Sequence, residues 1–253
     1  LAWERVHLAG QSARTAAMEE TQQLRTALLA SLGHDLRTPL TAIQGAAGTL
    51  RAHWPRMTEA ARDDLLDAIE HDVGRMARFL TNITELTRVE TGQIDPNLAA
   101  VPLTEAVESA LSQLPGGPLV SVAVTEPELA ALADPVLLEG ILVNLLENAV
   151  KYAPDGSLIQ VRGSREGGMV VLAVADEGVG IPAQDLPHVF DSFYRARHGD
   201  RVAAGTGLGL AIVQGLVRAM HGTIEAQSPR PDLPRDGAPG TVITLRLPVA
   251  PAA

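Results

Sequence analysis

Leu24, Leu28, Leu32, Leu36, Leu40, Ile43, Ala47 and Leu50 recur at spacings of four, then of three and four in alternation. At 3.6 residues per turn this is one apolar stripe along a long helix. Pro55 and Thr58 interrupt the pattern, with Thr58 placed to cap a second helix. Leu66, Ile69, Val73, Met76, Leu80 and Ile83 then form a second stripe, and Gly92 stands where a C′ residue would end it. Two such helices predict an antiparallel hairpin. A hairpin alone buries little, so pairing with a second copy into a four-helix bundle is expected, with docking onto the rest of the same chain as the alternative.

From about Val101 the period changes. Leu119 to Val124, Leu158 to Val161, Met169 to Val174 and Thr241 to Leu247 are short β-rich runs, and Gly167-Gly168 predicts a hairpin between two of them. Helical patterns over 103–114, 135–152 and 207–220 alternate with these runs. The mixture predicts an α+β sandwich with one sheet face covered by helices. Residues 228–240, rich in Pro, Gly and Asp, read as an exposed loop. The expected division is 1–99, with 1–23 as an upstream helical segment, and 100–253.

Composition narrows the possibilities. Hydrophobic residues make up 46% of the 253, enough for a real core, while aromatics at 3% leave that core to Leu, Val, Ile and Ala. A formal charge of −10 argues against a nucleic-acid binder. With no cysteine, disulfides, thiolate zinc sites and cysteine nucleophiles are excluded. No apolar run approaches the roughly 18 residues of a spanning helix. The sequence opens at Leu1 within a helix-like pattern and reads as a piece of a longer protein.

His34 lies off the first stripe. It is two residues from both Leu32 and Leu36, hence about 200° around the helix from each, and faces solvent when the stripe faces a core. Alone it would be a solvated side chain. Its neighbours change that reading. Asp35 supplies a carboxylate that can take or orient an imidazole proton, and Thr38 shares the histidine's face one turn on. Gly33 and Pro39 both disfavour a regular helix, so the segment is built either to flex or to hold a passive kink.

Asp134-Pro135 starts a mostly apolar helix on which Asn144, Glu147, Asn148 and Lys151 sit at i, i+3, i+4 and i+7. Unpaired polar groups are costly in a core, so this stripe meets solvent or lines a polar pocket. Amide oxygens and a lysine suit a magnesium–phosphate group. Asp176-Glu-Gly178-Val-Gly180-Ile follows a strand-like run, and Gly205-Thr206-Gly207-Leu208-Gly209-Leu opens a helical one. Each is either a tight connection or a phosphate cradle. Neither sits in a βαβ unit, and no Walker Gly-Lys-Ser/Thr occurs. Arg195, Arg197 and Arg201 lie between them, in a polar stretch that suits a lid or a solvated loop.

In order, these segments resemble the bacterial sensor histidine kinases across almost the whole chain. Ser31 to Leu40 resembles the phosphoacceptor box and Asn144 to Tyr152 the N box. Asp176 to Ile181 and Gly205 to Leu210 are similar to the two glycine boxes, and Phe190 to Arg195 to the F box. Leu24 to Leu40 and Val143 to Tyr152 most resemble the potassium-responsive sensor kinases. The resemblance implies a dimeric bundle followed by a gyrase-like, histidine-kinase ATP-binding α/β sandwich, with ATP and Mg2+ as cofactors. It implies that His34 takes the γ-phosphoryl group, with Asp35 as base and Thr38 orienting water for dephosphorylation of the partner. Asn148, helped by Asn144, would hold magnesium. Lys151 and Tyr152 would lie near phosphates or ribose, and Asp176 would recognise the adenine amino group. Gly178 and Gly180 would shape that pocket, Gly205, Gly207 and Gly209 would anchor the lid, Thr206 and Leu208 would belong with them to the ATP-binding residues, and Arg195 would approach the phosphates. The implied partners are a second copy and a response regulator. The implied setting is cytoplasmic, with a parent anchored in the bacterial inner membrane. Gyrase-like ATPases carry a water-activating glutamate where this chain has Asn144, which favours a kinase over an ATPase. A non-catalytic scaffold or a phosphatase-dominant sensor would keep the same boxes.

Overall fold

The computed structural model describes residues 36–114, 118–198, 201–202, 206–232 and 238–251, with backbone alone at 197–198 and 201–202. His34 and Asp35 of the phosphoacceptor segment and Gly205 of the second glycine loop lie outside the described residues. The chain divides into two compact units, Leu1–Thr81 and Asn82–Ala253.

In the first unit, helix α1 runs over 36–53 and α2 over Glu59–Glu90, joined by a single 3-10 turn at Trp54–Arg56. Pro55 sits at the start of that turn, where a missing N–H costs nothing. Arg62 from the first turn of α2 reaches back, donating to the Trp54 carbonyl at 2.7 Å with its guanidinium 4.7 Å from the Trp54 ring centroid. Thr58 is the N-cap, its Oγ1 accepting from Ala61 N at 3.2 Å. Leu50 and Phe79 are buried, whereas Leu40, Leu66, Val73 and Leu80 are 41–54% exposed within the single chain. The stripe on α2 is thus partly uncovered, and Phe79, which its spacing passes over, is buried instead.

α2 ends as its sequence predicts. Gly92 adopts φ +64°, its N–H bonds the Val89 carbonyl, and Gln93 N bonds the Arg88 carbonyl. This pair of bonds is a Schellman cap, for which glycine is the residue without steric cost. The division between units falls inside α2. The helix's last turns belong with the second unit, and a Cβ on Gly215 of that unit would overlap Val89.

The second unit contains two sheets that concern the core. β1 (Ala99–Pro102) pairs antiparallel with β3 (Ala130–Ala133). The larger sheet has the order β2-β4-β5-β9-β8, from β2 (Val120–Val124), β4 (Ile159–Glu166), β5 (Met169–Asp176), β8 (Thr223–Gln227) and β9 (Thr241–Pro248). All its pairs are antiparallel except β2 with β4. β4 and β5 meet through the two-residue turn Gly167-Gly168, with Gly167 at φ +60°. Helices α3 (Leu103–Ser112), α4 (Pro135–Tyr152) and α5 (Gly209–Ala219) pack as the second layer. Leu138, Ile141, Leu142 and Leu146 of α4 are fully buried, as are Val161 of β4 and Leu245 of β9. A short pair, β6 (Arg197–His198) with β7 (Arg201–Val202), lies ahead of α5.

The expected α+β layering is present, with two differences of detail. β1, β3, β6, β7 and β8 are additional strands; Ala-Ala-Val-Pro of β1 and Ala-Ala-Leu-Ala of β3 carry little strand propensity, so only pairing defines those two. The segment after β8 is not simply exposed. Ser228 and Arg230 within it are 7% and 3% exposed, because both make hydrogen bonds inward.

Candidate functional site

Asp134 begins α4 as both cap and tether. Its Oδ1 accepts from Val136 N at 2.9 Å and Leu137 N at 3.1 Å, while Oδ2 accepts from Asn97 N at 2.9 Å. Pro135 at N1 loses no bond. Leu138, Ile141, Leu142, Leu145, Leu146 and Ala149 bury one face of α4, and its polar residues lie off that face. Asn144 and Asn148 are half-buried, and Glu147, Lys151 and Tyr152 are exposed. Asn148 Nδ2 donates to Asn144 Oδ1 at 3.2 Å, an interaction that the i, i+4 spacing permits. Lys151 bonds the Tyr152 hydroxyl at 3.2 Å and lies over its ring.

The Asn144 amide faces the start of α5. A Cβ on Gly209 would come within 2.6 Å of Asn144 Oδ1, so glycine is what lets the two helices meet there. Just before it, Gly207 takes φ +67° and a Cβ would lie 2.7 Å from the Phe193 carbonyl carbon. Phe193, itself at φ 66°, donates its N–H to the Gly207 carbonyl at 2.8 Å. Left-handed backbone at a non-glycine residue is uncommon, and this bond helps to hold it. Thr206 Oγ1 accepts from Leu208 N at 3.3 Å, and Leu208 is fully buried. Arg195 follows this turn and is half-buried.

Asp176 ends β5 and is 9% exposed. Its Oδ1 accepts from Gly178 N at 2.8 Å. Burial pushes its carboxyl above the usual range, and the backbone N–H groups of Gly178 and Thr241 together with the charge of Arg230 oppose that rise. Gly178 is pressed against the end of α4, where a Cβ would overlap the Tyr152 carbonyl oxygen. Gly180, at φ +70°, would place a Cβ 2.7 Å from Ser228 Oγ. Asp176, Gly178, Tyr152, Asn144, Asn148, Gly207 and Gly209 therefore belong to one connected neighbourhood of the second unit. Thr38 belongs to the first unit, where it is exposed on α1.

Three further residues bear on this neighbourhood without a signal in the sequence. Ser228 Oγ accepts from Ile181 N at 2.8 Å, and Arg230 Nη1 donates to the Asp176 carbonyl at 3.0 Å. Asp185, 6% exposed, accepts from the Tyr194 hydroxyl. None stands in a periodic pattern, and a lone polar residue in a Pro/Gly-rich segment carries no mark of burial.

The donor set suits a magnesium nucleotide. Asn148 spends its amide nitrogen on Asn144, which turns its carbonyl oxygen toward other partners, and magnesium takes oxygen ligands while keeping waters. No cluster of three His, Cys, Asp or Glu occurs among the described residues, so phosphates and water would complete the shell. The glycine-rich start of α5 presents backbone N–H groups of the kind that hold phosphates. No helix among the described residues is long and apolar enough to cross a membrane.

Two protein-family models match the chain. Residues 24–92 match the His Kinase A (phospho-acceptor) domain, and residues 133–251 the histidine kinase-, DNA gyrase B- and HSP90-like ATPase. The Sensor protein KdpD of Escherichia coli K12 is 35% identical over 232 residues, 89% of this chain and 25% of its own length. That of Mycobacterium tuberculosis H37Rv is 34% identical over 226 residues, 87% of this chain and 26% of its own length. The chain thus spans about a quarter of these curated relatives. Among solved structures, the mycobacterial sensor histidine kinase MprB is 31% identical, covered over its whole length by 61% of this chain, at a TM-score of 0.54. The Acinetobacter baumannii histidine kinase AdeS, 23% identical, shares the fold over 86% of this chain and 98% of its own at 0.63.

Proposed function

We propose, on the premise that the chain belongs to the two-component sensor histidine kinases, that it phosphorylates His34 from Mg-ATP and passes the group to an aspartate of a response regulator. The observation that carries the nucleotide half of this reading is the contact between Asn144 and Gly209. It sets the half-buried Asn144 of the polar stripe against the glycine-rich start of α5, which supports reading this end of the stripe as the wall of a nucleotide site. Asn144 also stands where a gyrase-like ATPase holds its water-activating glutamate. An amide cannot serve as that base, and hydrolysis by water is accordingly disfavoured relative to transfer.

In this reading the Asn148 oxygen, helped by Asn144, would hold magnesium, and an ion there would supply charge neutralisation for the transferring phosphoryl group. Asp176 accepts a hydrogen bond from the adenine amino group, within walls set by Gly178 and Gly180. Lys151 and Tyr152 lie near phosphates or ribose, and Arg195 approaches the phosphates. Gly205, Gly207 and Gly209 anchor the lid, with Thr206 and Leu208 among the ATP-binding residues. An imidazole nitrogen of His34 attacks the γ-phosphorus, ADP leaves, and Asp35 accepts the imidazole proton. In-line positioning and charge neutralisation supply most of the rate in such transfers. Thr38 orients water for removal of the phosphoryl group from the regulator.

The functional division follows the same reading: 1–99 for dimerisation and phosphotransfer, with 1–23 leading from an upstream region, and 100–253 for nucleotide binding. The exposed heptad Leu66, Val73 and Leu80 supports a homodimer, since that spacing pairs helices into bundles. ATP is a cytoplasmic substrate, so the chain works on that side as part of a longer sensor anchored in the inner membrane. The test is the intact mass of the chain after incubation with Mg-ATP, beside His34→Ala and Asn148→Ala. One acid-labile phosphoryl adduct, absent from both variants, is expected. An unlabelled wild type that binds ATP would favour a scaffold or phosphatase instead.

A further inference from the structure

The segment that follows β8 returns to the Asp176 loop three times. Ser228 Oγ accepts from Ile181 N at 2.8 Å, Gly240 N donates to the Gly178 carbonyl at 3.0 Å, and Arg230 Nη1 donates to the Asp176 carbonyl at 3.0 Å. Ser228 Oγ also donates to the Gly240 carbonyl at 2.7 Å, and Arg230 N to that of Pro239 at 2.8 Å, so both arms of the segment are joined.

Arg230 is unusual among these. An arginine 3% exposed is costly to bury unless its donors are met. Here they are met in a fixed fork. Nε and Nη2 contact the two oxygens of Asp232 at 3.0 and 2.9 Å, and Nη2 also reaches Gln160 Oε1 at 3.3 Å. Asp232 is held in turn by Arg162 of β4 at 2.8 Å. These hydrogen bonds, Arg230's first, keep the Asp232 carboxyl well below the usual range, so the pair stays charged. A planar guanidinium clamped on one edge by a carboxylate presents its remaining nitrogen in one direction. That nitrogen meets the backbone of Asp176.

We infer that Arg230 is a positioning residue for base recognition, fixing the end of β5 so that the Asp176 carboxylate meets the 6-amino group of the nucleotide. The inference rests on the adenine role proposed above for Asp176. Its cationic head also favours the ionised carboxylate, the form that accepts from an amino group. Lysine at 230 keeps the charge and loses the fork, whereas methionine loses both.

The experiment is calorimetric titration of the chain with ATP and with purine riboside 5′-triphosphate, which lacks the 6-amino group. The wild type prefers ATP. Arg230→Met lowers that preference by about tenfold, the loss expected for one hydrogen bond involving a charged group, because ATP weakens while the analogue does not. Arg230→Lys recovers part of it. Asp232→Ala, at a more exposed position, lowers it in the same direction and decides the matter where Arg230→Met does not fold. A merely structural role would weaken both nucleotides alike, and an unchanged ratio in Arg230→Met or in Asp232→Ala overturns the inference. A wild type without preference removes the adenine role of Asp176 itself, and this inference with it.

Discussion

The phenolic hydroxyl of Tyr194 donates to Oδ1 of the buried Asp185 at 2.8 Å, and Asp185 Oδ2 has no partner among the described residues. The bond joins the turn after β5 to the strained turn at Phe193, which in turn bonds Gly207. Tyr194→Phe would take the donor away from a buried carboxylate. The expected cost is about 1–3 kcal/mol, visible as a lower urea midpoint. An unchanged midpoint would mean that water reaches Asp185.

Gly178 has no room for a side chain. A Cβ there would overlap the Tyr152 carbonyl oxygen, which is backbone and cannot rotate away. Gly178→Ala should therefore push the Asp176 loop off the end of α4. The expected result is a stability loss of roughly 1–3 kcal/mol with ATP affinity falling further than stability alone explains. Melting curves and titrations on one preparation separate the two. Retained affinity would show that the loop position is immaterial to binding.

Asp176 gives a pH dependence of defined sign. Burial raises its carboxyl in the folded chain, so the native state keeps that proton to higher pH than the unfolded chain. The contribution is fully present below the ordinary carboxylate range and is lost as pH rises through the raised folded value. Asp176→Asn abolishes the titration. Urea midpoints measured from pH 4 upward should show the wild type losing stability relative to this variant over that window, then running parallel. The opposite slope would show that Gly178, Thr241 and Arg230 outweigh burial.

Val73 is 51% exposed at the centre of the Leu66, Val73, Leu80 heptad. Within a dimeric bundle, Val73→Glu would bury a charge at each protomer, which is costly without a partner. Sedimentation should then report a monomer at concentrations where the wild type is dimeric. A variant that still dimerises would place the interface on another face of the helices.

How much of this was legible varies from element to element. The cap at Thr58, the stop at Gly92, the start of α4 at Asp134-Pro135 and the Gly167-Gly168 turn are local devices, and local chemistry specifies them. The glycine loops, the α4 stripe and the F-box segment were readable because their order and spacing resemble a family. Whether the stripe on α4 met solvent or a pocket was open in the sequence; Asn144, half-buried, lies against Gly209, 65 residues away along the chain, while Glu147 and Lys151 are exposed. Arg230 and Asp185 were illegible for a related reason: burial of a lone polar residue depends on which distant backbone returns to it. Phe79 and Leu80 show the same limit on a helix, where neighbouring apolar positions cannot be ranked until the partner surface is known.

The single carboxylate of Asp134 has a mechanical consequence. One oxygen caps α4 and the other holds Asn97, five residues beyond the glycine that ends α2. The connector leaving α2 is therefore pinned to the first turn of the helix that carries Asn144 and Asn148. Slack in that connector ends at residue 97, so a pull transmitted along it bears on α4 before it reaches any strand of the large sheet.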